Sequence, residues 1–140
     1  MKLIVFELNP SVSQLLRPNK NTIVEAIRPH LYKHNSPTGS VFVEIQNEQG
    51  EFIAQSNTVS IASIADEPFY HGHIRFDIKA HLKKGRVYRI HVKAADGYAF
   101  TEAAYVGVCN AYDLSAYPPE YTPNQGASAP LDIQMWCRNE

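Results

Sequence analysis

GSVFVEIQNEQGEFIAQS, residues Gly39 to Ser56, alternates, stops and alternates again. Val41, Val43 and Ile45 point one way along an extended chain, and Phe42, Glu44 and Gln46 point the other. Asn47-Glu48-Gln49-Gly50 interrupts, and Phe52 and Ala54 resume the alternation. Successive side chains of a strand lie on opposite faces, so a period of two around a short Gly-containing break is the pattern of a β-hairpin.

Outward from this hairpin the same period recurs. Toward the N-terminus, Leu3 to Leu8 reads as a strand. Asn9 to Asn21, with two prolines and three asparagines, reads as a loop or extended arm. Thr22 to Lys33 alternates weakly, and Pro29 within it signals a break, an edge or a bulge. Toward the C-terminus, Thr58 to Ala65 alternates with an ambiguous buried face. In Tyr70 to Ile78, Ile74, Phe76 and Ile78 oppose Arg75 and Asp77. Lys83-Lys84-Gly85 is a turn, after which Tyr88, Ile90 and Val92 oppose Val87, Arg89 and His91. Asp96-Gly97 is a hairpin signal, and Tyr98 to Asn110 a further strand or pair. Asp113 to Pro130 holds Pro118, Pro119, Pro123 and Pro130 and reads as a long loop. In Leu131 to Trp136, Leu131, Ile133 and Met135 oppose Asp132, Gln134 and Trp136, as in a closing strand. About eight or nine strands with turn signals every 8–12 residues predict an all-β fold. The expectation is one domain over residues 1–140, a two-sheet antiparallel β-sandwich of jelly-roll type.

A chain of 140 residues can bury one core without metals or disulfides. A net charge of −1 removes the strongest argument for a nucleic-acid partner, which would need a basic face, and leaves a local patch open. The apolar run Leu3-Ile4-Val5-Phe6 is too short for a signal peptide, and no stretch reaches the length of a membrane helix. These features predict a soluble chain made in the cytosol, with no nucleic-acid or membrane partner. Cys109 and Cys137 belong to no CxxC pair, which argues against a thiolate zinc site; the two could form one bridge, but nothing demands it, and two free thiols are the expectation. His71-Gly72-His73 puts two imidazoles on one strand face, but a metal site needs three or four ligands. The motif reads as a polar strand surface, with Gly72 suited to a bulge or a close backbone approach. The carboxylates are scattered, and GxSxG, GxGxxG and P-loop motifs are absent. The expectation is a protein that is not an enzyme and uses no metal or cofactor.

Eight tyrosines are the compositional excess, and five of them, Tyr98, Tyr105, Tyr112, Tyr117 and Tyr121, fall in the last third. Such side chains suit core pairs, interface anchors or platforms for sugar rings. The hairpin Gly39 to Ser56, the strand Ile74 to Ile78 and the run Leu82–Gly85–Tyr88–Ile90 together resemble a segment of viral and bacterial sandwich domains. That pattern, from Gly39 to Ala94, is similar to virion proteins of tailed bacteriophages and to carbohydrate-binding-module-like jelly rolls. It implies a non-enzymatic virion structural protein, a head decoration or cement protein acting by interface burial. Its partners would be the major capsid protein, other virion proteins and its own copies in a homo-oligomer, and its location the virion. The arm and the Pro/Tyr loop would then supply the contacts, through Leu15, Leu16, Arg17, Tyr112, Tyr117 and Tyr121. The alternative is a carbohydrate-binding module or a tail- or fibre-associated adhesion domain. There Tyr112, Tyr117 and Tyr121 would stack on a glycan, and Asn110, Asp113 or Asn124 would bond its hydroxyls. Modules of that type often pair exposed tryptophans, whereas this chain has only Trp136.

Overall fold

The structure is a computed structural model that describes residues 5–8, 11–64, 72–95, 97–99, 104–109, 121–123 and 133–139. Its strands are β1 (Val5–Glu7), β2 (Ser11–Pro18), β3 (Thr22–Pro29), β4 (Leu31–His34), β5 (Ser40–Asn47) and β6 (Phe52–Gln55). They continue with β7 (Val59–Ser60), β8 (Phe76–Leu82), β9 (Tyr88–Ala94), β10 (Tyr105–Cys109), β11 (Tyr121–Pro123) and β12 (Ile133–Asn139). A single 3₁₀ turn, Ile61–Ser63, is the only helical element among the described residues. The protein is an all-β sandwich of antiparallel sheets.

Among the described residues, hydrogen bonding joins the strands of this sandwich in three groups. The largest runs β11-β2-β9-β5-β6, with β7 also on β5. The others are β12-β3-β8 and β1-β10-β4. The chain passes straight from β3 into β4, and the break falls at Pro29, which has no N–H to give to a ladder. Inward-facing residues from all three sheets meet in one core. It includes Val41, Val43 and Ile45 of β5, Tyr88, Ile90 and Val92 of β9, and Phe76, Ile78, Ala80 and Leu82 of β8. Val24 and Ile27 of β3, Leu31 of β4 and Val106 and Val108 of β10 complete it.

The opening hairpin forms with its turn at Asn47 to Gly50. Asn47 Oδ1 accepts from the backbone N–H of Gln49 at 3.0 Å and of Glu51 at 2.9 Å. Gly50 supplies φ 83°. The second limb departs from simple alternation. Glu44 pairs with Gln55 and Ile45 with Ala54, but Gln46 pairs with Phe52, so Ile53 is an extra residue. This bulge leaves Ala54 buried and turns Phe52 outward, 62% exposed.

Three expectations are corrected. Residues 11–18 of the expected arm are a strand inside the largest sheet, between β11 and β9. Gln14, Leu16 and Pro18 point inward and Ser13, Leu15 and Arg17 point out or sideways, a real alternation disguised by a buried glutamine. The Gln14 amide is satisfied by donating to the Leu15 carbonyl at 2.9 Å. Within the expected long loop, Tyr121–Pro123 forms β11 against Leu16 to Pro18; the rest of that loop lies outside the described residues. The strand expected to begin at Tyr70 begins at Phe76 and runs to Leu82. Before it, His73 makes only an isolated bridge to His30. Within the expected strand or pair at Tyr98 to Asn110, the described residues hold β10, preceded by a bridge from Ala99 to Thr38; residues 100–103 and 110 lie outside them.

Candidate functional site

The expected interface residues separate once placed. Leu16 is 1% exposed and belongs to the core, so it cannot anchor a partner. Leu15 is half-buried on the outer face of the large sheet, opposite Arg89 of β9. Arg17 is exposed beside Thr122 of β11. Tyr121 enters β11 opposite Pro18. Tyr112 and Tyr117, with Asn110, Asp113 and Asn124, lie outside the described residues.

His71 also lies outside them, but the rest of the His-Gly-His motif is packed into the structure. Gly72 O accepts from Leu31 N–H at 2.7 Å, and Ile74 N–H donates to Pro29 O at 3.1 Å. A Cβ on Gly72 would sit 2.2 Å from the Leu31 carbonyl oxygen, so this glycine permits a close backbone approach. The rings of His30 and His73 lie 4.8 Å apart. Among the described residues no three His, Cys, Asp or Glu side chains gather into a metal-holding group. Cys137 is a half-buried thiol packed against the core.

Three surfaces carry chemistry. The first is the outer face of the large sheet, where Ser13, His91 and Glu44 form a row across β2, β9 and β5. Glu44 Oε2 accepts from Lys93 Nζ at 3.0 Å and from Gln46 Nε2 at 2.5 Å. Burial pushes the Glu44 carboxyl up, but the Gln46 and Lys93 hydrogen bonds, with the charges of Lys93 and His91, outweigh it and hold it below its ordinary value. Burial, then the charges of Lys93 and Arg89, push the His91 imidazole below its ordinary value against the opposing pull of Glu44. Both His91 ring nitrogens are buried without a hydrogen-bond partner. Folded His91 therefore stays neutral where the unfolded chain takes up a proton. Stability held above pH 6.5 is lost as the pH falls through that value toward the folded pKa. Glu44 contributes in the same direction at lower pH, its share lost as the pH falls below 4.5. Melting curves between pH 7.5 and 5.5 are expected to show a falling Tm, and a His91→Gln variant a flatter profile over that window. An equal slope in both proteins would refute the assignment to His91.

The second surface is the turn end of the β5–β6 hairpin. Phe52 is 62% and Ile53 36% exposed. Ile53 and Val87 line a hollow of about 410 Å³ together with Asn47, Glu48, Lys83 and Arg86.

The third surface is the outer face of β12-β3-β8. Trp136 pairs with Ala26, and Ala26 pairs with Asp77, so the three stand in one row. Trp136 is 51% exposed, and Ala26 in the middle of the row is fully buried. Arg138 Nε contacts Glu25 Oε1 at 2.5 Å, and Arg75 Nε contacts Asp77 Oδ1 at 2.8 Å. A shallow depression of about 480 Å³ beside the row is lined by Glu25, Gln55, Asp77, Lys79 and Arg138. The alternation of the closing strand already placed Trp136 opposite Ile133 and Met135; what it did not show is that the indole faces solvent. The chain matches no known protein family, no curated protein and no solved structure.

Proposed function

We propose that this chain is a non-enzymatic structural protein of a bacteriophage virion, of the capsid decoration or cement type, that attaches by burying surface against capsid neighbours and its own copies. The reading rests on the sandwich pattern of Gly39 to Ala94 and is carried by one observation, the outward placement of Phe52 and Ile53 at the hairpin end. Large apolar side chains held in solvent beside a hollow with mixed charges suit an interface with an apolar centre and a polar rim. Burying such a side chain contributes about 1.5–3 kcal/mol. The double variant Phe52→Ser/Ile53→Ser is therefore expected to weaken co-sedimentation with purified particles, or self-association, by tenfold or more. Its Tm should stay near that of the parent, since exposed positions cost little on folding. Unchanged association, or none in the parent protein, would sink this reading.

A second reading, a saccharide-binding domain, is favoured by the solvent-facing indole of Trp136 on a sheet face flanked by polar side chains.

A further inference from the structure

The outer face of β12-β3-β8 has a direction to its chemistry. Gln134 pairs with Arg28 one step along the sheet from the Trp136–Ala26 pair. Arg28 is thus a diagonal neighbour of Trp136, at a spacing of roughly 7–8 Å. Among the described residues, four cations stand on this face, Arg28, Arg75, Lys79 and Arg138, against two carboxylates, Glu25 and Asp77. Arg75 and Arg138 are paired with those carboxylates. Arg28 and Lys79 have no carboxylate partner among the described residues. Arg28 is also half-buried, with its Nε buried and without a hydrogen-bond partner. The Nε is closed to solvent, so an incoming acceptor would meet the terminal Nη donors of this half-buried side chain.

Resting on the saccharide reading, we propose that this face binds an acidic saccharide, its ring stacked on Trp136 and its carboxylate or sulfate held by Arg28. The indole face carries partial negative charge and attracts the C–H face of a pyranose. A guanidinium grips a carboxylate or sulfate through two parallel hydrogen bonds, which a neutral hydroxyl does not match. The residue spacing of roughly 7–8 Å between these diagonal neighbours is on the scale of one sugar ring and its acidic substituent. Lys79 extends the positive field across the neighbouring depression, where Gln55 and Asp77 are placed to bond hydroxyls.

Trp136 is the chain's sole tryptophan, so its emission reports this site and no other. Tryptophan fluorescence is followed while the protein is titrated with tetragalacturonate, with a chondroitin sulfate hexasaccharide, and with cellotetraose as the neutral control. A saturable change is expected with at least one acidic probe, at tenfold or more higher affinity than with cellotetraose, and weakened by high salt. Arg28→Gln should lower the acidic affinity at least tenfold without changing the response to cellotetraose, and Arg28→Lys should restore part of it. Should Arg28→Gln fail to fold, Lys79→Gln, exposed on the strand, carries the same comparison with a smaller loss. Equal affinity for acidic and neutral probes would overturn the acidic assignment and leave the saccharide reading standing. Silence toward all three probes at millimolar concentration would overturn both. An emission shift that follows protein concentration, with a doubling of mass, would make the face a self-association surface and overturn both as well.

Discussion

Gly39→Ala is expected to prevent stable folding, or to lower the Tm by more than about 10 °C. Two costs coincide at this position. Its φ is 109°, a backbone region that side-chain-bearing residues rarely adopt. An added Cβ would also stand 2.5 Å from both the backbone N and Cα of Tyr98 and 2.6 Å from the Gly97 carbonyl carbon. Those are backbone atoms, so no rotamer change relieves the overlap. Tyr98 cannot simply retreat, because its hydroxyl donates to the Leu8 carbonyl at 2.9 Å and accepts from Val106 N–H at 3.2 Å. Moving it would strip partners from the segment after β1 and from β10 together. Backbone strain of about 1–2 kcal/mol plus overpacking of about 1–3 kcal/mol is a large share of a typical domain's stability. Thermal melts followed by circular dichroism check this. A loss of less than about 3 °C would show that the contact between Gly39 and Tyr98 yields easily.

Phe76→Ala is expected to cost about 3–5 kcal/mol. For a chain of this length that lowers the Tm by roughly 10–17 °C. Phe76 is fully buried, begins β8 and pairs with Ile27 of β3. The cavity would open where β8 joins the sheet, next to the bond from Asp77 N–H to Asn57 Oδ1 at 2.8 Å that links β8 to the segment after β6. Phe52→Ala is the internal control, since its ring already stands in water and its loss should move stability by no more than about 0.5 kcal/mol. Urea denaturation of the two variants side by side gives the contrast. Similar midpoints for both would mean that the core around Phe76 collapses to fill the space.

The sandwich was legible wherever a sheet has one wet face. Val41–Ile45, Ile74–Ile78 and Tyr88–Val92 alternate because one side packs and the other is solvated, and the core holds their apolar members. Ser11 to Pro18 was illegible for a physical reason. Gln14 occupies an inward position and is satisfied locally, so the apolar period that marks a buried face is broken at its centre. The bulge at Ile53 was hidden because no residue type demands it: an extra residue in one strand shows only in how the strands pair. The alternation set Trp136 apart from Ile133 and Met135 but did not show its exposure; the indole stands beside Ala26 across the ladder, a contact more than a hundred residues away in sequence. The glycine of the His-Gly-His motif told more than its histidines, since the close approach it permits is what ties the chain at Gly72 to Leu31.

The bulged hairpin also governs how this molecule can be touched. β6 is the last strand of the large sheet, and a regular last strand is an open template on which another chain can add a rung. With Ile53 inserted, the spacing of donors and acceptors along β6 is out of step, and the local twist is increased. A neighbour arriving here finds side chains where it would need a ladder. A partner at this margin would meet shape rather than a ladder, set by the size and angle of Phe52 and Ile53, and the bulge guards against the indiscriminate strand-to-strand sticking that a straight margin would invite. One residue of chain length, with no change in chemistry, separates a selective contact from an aggregation seam.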